Sequence, residues 1–315
     1  MTIDQALISR VLNGDRVAVA KAISMVENEN SNAIGLLKKI YVHTGNAYRV
    51  GITGPPGAGK STITNKLAKL YRNEGKKVGI IAVDPTSPFT GGALLGDRVR
   101  MTDVEVDEGV FIRSMASRGS LGGLSKKAGE AADVLDASGC DMILLETVGV
   151  GQSELDIVRA ADTTVVVLVP ESGDSIQAMK AGLMEIADFF VVNKSDRAGA
   201  EQAVMSIKMV LNFKHSEDGW NPDVIQSMAN DGKGIDRIAE MIAAHRQFME
   251  ERHLLQTKRK ERAVERIREL IGEHLRVEFW NDERKQVLES KIQHLLSLQT
   301  TPYDVAEYLL VNVRR

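Results

Sequence analysis

Cysteine occurs once, at Cys140, in a chain of 315 residues. A lone thiol excludes an internal disulfide framework and any metal site built on a cysteine pair, as befits a reducing compartment, and its expected role is a small core filler. Long apolar runs are missing too. The longest are of strand length, such as Thr164 to Val169, far short of the roughly 20 residues that span a bilayer, so no membrane embedding is expected. The opening Met1-Thr2-Ile3-Asp4-Gln5-Ala6-Leu7 has neither a basic stretch followed by an apolar one nor the acid-free, Arg- and Ser-rich character of a transit peptide; cytoplasm is the expected location. Charge of one sign is not in excess. Forty basic against 43 acidic side chains leave −3, so no global field draws the chain to nucleic acid or an anionic membrane, and a partner must be met through a local surface. The six histidines, His43, His215, His245, His253, His274 and His294, include no pair spaced as metal ligands within one turn; surface or helix-packing roles are expected of them. Internal repeats and low-complexity segments are absent.

What is present is ample apolar material, 43% of residues, in two kinds of pattern. Residues 1–45 show helical spacing: Ile3, Leu7 and Val11 share a face, and Asp15 stands as an N-cap before Val17, Ala20 and Ile23. From 46 to 245 short β-rich runs alternate with helix-length segments, at Tyr48–Ile52, Val78–Val83, Val110–Arg113, Met142–Leu145, Thr164–Val169, Phe189–Val192 and Val224–Ser227. Such alternation predicts an α/β fold, a doubly wound and mainly parallel sheet with helices on both faces. Residues 246–315 return to helix, with starts near Asn281 and at Thr301-Pro302. The basic run Lys258–Arg262 has acids at Glu261, Glu265 and Glu269 interleaved at helical spacing; it reads as a solvated helix face. The apolar residues of this tail suit either dimerisation or packing against the sheet domain.

Chemistry enters at Gly54-Pro55-Pro56-Gly57-Ala58-Gly59-Lys60-Ser61, followed by Thr62, directly after the first strand. This is a complete Walker A loop. Its glycines let backbone N–H groups turn in on phosphates, Lys60 brings a mobile positive charge, Ser61 a hydroxyl for Mg²⁺, and the helix opening at Lys60 its positive dipole end. A nucleoside triphosphate is the expected ligand. Asn193-Lys194-Ser195-Asp196 closes a later strand and reads guanine. The Asp196 carboxylate can accept from both the ring N1–H and the exocyclic amine of that base, and rejecting the wrong base by such a fork is worth roughly 10⁴. Between them, Met142 to Leu145 ends in Glu146-Thr147-Val148-Gly149, a Walker B and switch II pattern with Glu where many GTPases have Asp. Glu146 would act near Mg²⁺ or through water on the γ-phosphate. Val150 follows Gly149 where glutamine is usual, and Gln152 comes later, so intrinsic hydrolysis is expected to be slow and accelerated by a partner.

The stretch Val83 to Arg98 is loop-like, rich in Gly, Pro, Ser and Thr. Within it Asp84 and Asp97 are candidate Mg²⁺ or water ligands, although an acid before a helix is also an ordinary N-cap. The loops Ser117–Gly123 and Pro170–Lys180 each follow an apolar strand, on the edge where such sheets bind ligands; they serve as turns or as site elements.

The phosphate loop, Glu146-Thr147-Val148-Gly149-Val150-Gly151-Gln152-Ser153-Glu154, the Asp84-Pro85-Thr86-Ser87 to Gly96-Asp97-Arg98 loop and Asn193-Lys194-Ser195-Asp196 together resemble the MeaB/ArgK/MMAA type of P-loop GTPase. The likeness runs over nearly the whole chain. It implies GTP or GDP with Mg²⁺ as cofactors, Mg²⁺ handled by Ser61, Asp84, Asp97 and Glu146, catalysis involving Lys60, Glu146 and Gln152, and a third switch holding Asp174, Gln177 and Lys180. It implies a chaperone that gates adenosylcobalamin loading into an acyl-CoA mutase, methylmalonyl-CoA mutase first, with a homodimer formed through the helical ends; whether a cobalamin adenosyltransferase joins as a partner is left open by the sequence. In the guanine loop Met228 stands where the family usually has Ser, leaving the Ala229 N–H to meet the base. Competing readings are a chaperone of another mutase, such as 2-hydroxyisobutyryl-CoA mutase, a metallocentre-assembly GTPase, which needs a Cys or His cluster, and a kinase, which needs a phosphoacceptor site.

Overall fold

The structure, a computed structural model, describes residues 5–85, 104, 106–117, 123–147, 159–172, 183–212, 219–221 and 223–312. Seven strands form one parallel sheet in the order β3-β2-β4-β1-β5-β6-β7. They are β1 (Tyr48–Thr53), β2 (Val78–Pro85), β3 (Val110–Ser117), β4 (Met142–Thr147), β5 (Thr163–Leu168), β6 (Phe189–Asn193) and β7 (Val224–Ser227). All seven runs expected from the sequence are strands. β1, β4, β5 and β6 are buried along their whole length, which is why they read as mainly apolar runs rather than alternating ones, Arg49 in β1 being the charged exception.

Alternate residues of these strands feed opposite faces. Ile81, Ile143 and Leu145 pack with α1 (Gln5–Leu12), α2 (Arg16–Glu27), α3 (Ala33–Ile40) and α5 (Gly123–Ala137). Ile80, Leu144, Val165 and Val167 pack instead with α4 (Lys60–Asn73) and α8 (Ile235–Glu251). On β5 the intervening Val166 and Leu168 join a third cluster under α6 (Leu183–Ile186) and α7 (Ala200–Asn212). The period of two along a strand thus decides which helices each residue supports. Asp15 caps α2 as expected, its carboxylate accepting from Ala18 N at 2.9 Å. That hydrogen bond, with Arg10 adding to it, holds the Asp15 pKa below its ordinary value. Cys140 is buried and free, its thiol pushed up to about 11 by desolvation.

The chain divides into two compact units, 1–259 and 260–315. Helix α9 (Leu254–Phe279) spans the division, followed by α10 (Asp282–Leu296) and α11 (Pro302–Asn312). Asn281 caps α10 by accepting from Arg284 N, and Pro302 opens α11. In the second unit an apolar cavity of about 350 Å³ is lined by Trp280, Leu288, Ile292, Leu295, Val305 and Leu309 among others. No described helix is long and apolar enough to cross a membrane.

The basic run on α9 departs from expectation. Lys258 donates to the Asp162 carbonyl at 3.0 Å, and Arg259 reaches Asp162 Oδ2 at 2.8 Å and two carbonyls ahead of β1. Interleaved acids describe the sequence of this face correctly; what periodicity cannot show is that the buried Asp162 lies under two of its cations.

Candidate nucleotide-binding site

The phosphate loop leaves the C-terminal end of β1 in the middle of the sheet and enters α4 at Lys60. Two glycines are required there by contact as well as conformation. Gly54 has φ 134° and a Cβ on it would lie 2.0 Å from the Val167 carbonyl oxygen; Gly59 has φ 92° and a Cβ there would meet Asn193 Nδ2 at 2.2 Å. The loop is therefore seated on the end of β5 on one side and against β6 on the other. Lys60 is buried, and its Nζ donates to the carbonyls of Gly54 at 2.7 Å and Pro55 at 2.9 Å. Its ammonium lies folded across the loop it is expected to serve.

Parallel pairing places Ile52 beside Glu146. The buried Ser61 hydroxyl donates to the buried Glu146 carboxylate, so two of the four residues expected to handle Mg²⁺ are in contact. A hydroxyl and a carboxylate side by side at a helix N-terminus are hard oxygen donors, and this pair fits a magnesium ion. Next to them Thr147 donates to Thr53 Oγ1 at 3.0 Å, joining the ends of β4 and β1. Asp84 belongs to the end of β2, its backbone in register with Ala116, while its side chain lies outside the described residues. Asp97, Gln152, Asp174, Gln177 and Lys180 also lie outside them.

The segment expected to read guanine is assembled around Asn193. Its Nδ2 donates to Ala58 O at 2.8 Å in the phosphate loop, and its Oδ1 accepts from Ser227 Oγ at 3.1 Å and Ala229 N at 3.0 Å. Asn193 and Ser227 are register partners on β6 and β7. Lys194, at φ 58°, stretches its Nζ over the loop to Gly57 O at 2.7 Å. Asp196 is exposed at the same edge, and Arg197 pairs with Glu171, whose pKa is lowered by that hydrogen bond. The Ala229 N–H expected to meet guanine is given to Asn193 Oδ1 in this state, so the base oxygen must share that donor or displace Asn193 from it. Met228 closes the loop through its backbone bridge to Lys233, an interaction that makes no use of the side chain.

Sequence reasoning missed the Thr53–Thr147 pair, the span of Lys194 across the loop, and a charged cluster at the opposite edge of the sheet. There Arg49, inside buried β1, meets Asp133 at 2.7 Å and Asp136 at 3.5 Å. Burial works against its charge, but Asp133, Asp162 and Asp136 outweigh it and raise its pKa. An arginine within an otherwise apolar strand and two acids three apart on α5 were the available signal.

A parallel sheet with a phosphate loop at its centre, joined by one asparagine to a base-reading loop, defines a P-loop GTPase. Residues 19–284 match the family described as "Methylmalonyl Co-A mutase-associated GTPase MeaB", and the chain belongs to that family. It is 51% identical over 312 residues to "Putative GTPase PH0274" of Pyrococcus horikoshii, covering 98% of this chain and 97% of that one. It is 35% identical over 263 residues to the mitochondrial "Methylmalonic aciduria type A homolog" of Mus musculus, covering 77% and 62%. Among solved structures it is similar to a LAO/AO transport system kinase, at TM-score 0.77 and 29% identity over 100% of both chains.

Proposed function

We propose that the protein is a Mg²⁺-dependent GTPase that gates adenosylcobalamin loading into an acyl-CoA mutase, methylmalonyl-CoA mutase in the first place, and protects or reactivates that enzyme. The observation that carries this reading is the family match, to a mutase-associated GTPase, on a chain whose phosphate loop and Asn193 network are intact. In the site, Lys60 would leave the loop carbonyls for the β- and γ-phosphates, and the backbone N–H groups around the glycines would bind the remaining oxygens. Ser61, Asp84, Asp97 and Glu146 would hold Mg²⁺, which supplies neutralisation of charge on the phosphate oxygens. Gln152 is assigned to orienting water, Asp196 to the base, and Asp174, Gln177 and Lys180 to the mutase.

Assembly as a homodimer through the C-terminal helices accords with the second unit, where α10 has no buried residue and Leu296, Leu298, Tyr303 and Leu310 are exposed. A three-helix unit so poor in core gains most from a second copy. An adenosyltransferase joins as a further partner, and the cytoplasm is the assigned compartment.

The test is to substitute Asp174 or Lys180 with alanine and measure GTP turnover with and without adenosylcobalamin-dependent mutase. Basal turnover should be kept while the mutase-stimulated part falls. Equal loss of both would remove the switch assignment.

A further inference from the structure

At the edge of the sheet opposite the phosphate loop, the segment leading into β1 is gripped from two sides. The buried Asp136 carboxylate accepts from the backbone N–H groups of Gly45 at 2.8 Å, Asn46 at 3.1 Å and Ala47 at 3.0 Å. Arg259 takes carbonyls of the same segment, Nη1 donating to Gly45 O at 2.6 Å and Nη2 to Ala47 O at 2.9 Å. The same Nη2 donates to Asp162 Oδ2 at 2.8 Å, while its neighbour Lys258 donates to the Asp162 carbonyl at 3.0 Å. Asp162, fully buried, immediately precedes β5, and its Oδ2 also accepts from Arg49 N at 3.0 Å. One guanidinium therefore ties together the leading ends of β1 and β5.

Those two strands are neighbours, Val50 to Thr53 being in register with Thr163 to Val166. Their trailing ends make the seat of the phosphate loop, where a single methyl on Gly54 would collide with Val167 O. A strand is stiff along its axis and packed interiors pass displacement on rather than absorb it. A slip of β1 against β5 at the Arg259 end would thus reappear where Gly54 rests on Val167.

We propose that Arg259 is a positioning residue for nucleotide binding, fixing the axial placement of β1 against β5 and so the seating of the phosphate loop. The inference rests on the reading of residues 54–61 as that loop. Arginine is needed because a planar fork can span two carbonyls and a carboxylate at once, which the point charge of lysine cannot.

The test uses the full chain with Arg259→Lys and Arg259→Met. GDP affinity, thermal stability and amide hydrogen exchange with and without saturating GDP are measured on each. In the unaltered protein GDP should slow exchange both in the loop 54–61 and at Gly45 to Ala47. In Arg259→Lys the affinity should fall on the order of tenfold, since small misplacements remote from a site are costly. At saturation the loop should still be protected while Gly45 to Ala47 no longer respond. Arg259→Met should behave likewise; if it does not fold, the lysine variant decides alone. Unchanged GDP affinity with lowered stability in Arg259→Lys would make the residue merely structural and overturn the proposal, as would an unaltered protein whose Gly45 to Ala47 amides ignore bound GDP. Failure of the unaltered protein to bind GDP would instead strike at the phosphate-loop reading itself.

Discussion

Asn193 shows how much of this site hangs on one side chain. Its amide donates to the phosphate loop and accepts from both β7 and the loop that follows it, so the two halves of the nucleotide site cannot separate without leaving buried polar groups unpaired, at about 1–3 kcal/mol each. Asp196, exposed beside it, is the residue proposed to read the base. Asp196→Asn replaces an acceptor pair with one acceptor and one donor, which suits the C2 oxygen of xanthine better than the amine of guanine. Competition binding should show preference moving from guanine toward xanthine nucleotides; an unchanged guanine preference would remove Asp196 from the base-reading role.

Among the elements, helix α8 is keyed to the sheet by His245. The ring is buried, with Nδ1 2.8 Å from Thr163 Oγ1 and Nε2 3.5 Å from Asp188. Thr163 also shares a hydrogen bond with Tyr48, and Trp220 packs against the ring at 4.8 Å. Burial lowers the His245 pKa below 6.5; Asp188 and Asp162 oppose this, and Lys258 adds to it. The folded state therefore favours neutral imidazole. As pH falls below 6.5 the unfolded chain binds the proton first, so stability drops with falling pH, by at most about 1.4 kcal/mol per pH unit for one such group. Thermal unfolding between neutral pH and pH 5 should show this decline, and His245→Gln should flatten it. An equally steep decline in the variant would place the effect elsewhere.

The same elements show what the sequence makes legible. β4, β5 and β6 could be read because burial on both faces leaves largely apolar runs, the other strands because short β-rich runs alternate with helix-length segments, and the loop at Gly54 to Ser61 because its chemistry requires fixed residue types. The clamp formed by Asp136, Asp162 and Arg259 could not be read, since its members are far apart in the chain and each alone looks like a surface charge. The basic run on α9 went the same way: helical spacing identifies a charged face but not the acceptors it covers. At Met228 the loop after β7 is closed by backbone pairing to Lys233, which no side-chain comparison reveals.

For the whole molecule, the functional account joins a GTPase unit to a client enzyme. The two compact units divide the work in this account: the first holds the nucleotide, and the exposed apolar side chains of the second, Leu296, Leu298, Tyr303 and Leu310 among them, suit assembly with another copy. The slow turnover proposed for the protein alone is assigned to the glutamine standing at Gln152 rather than directly after Gly149, and its acceleration to a partner met through Asp174, Gln177 and Lys180. The most direct measurement is GTP turnover by the purified protein, alone and with an adenosylcobalamin-dependent methylmalonyl-CoA mutase from the same organism. The expected result is slow turnover alone and strong acceleration by the mutase, lost in Lys60→Ala. Normal GTP binding with turnover indifferent to the mutase would contradict the account, leaving a GTPase whose client is a different protein.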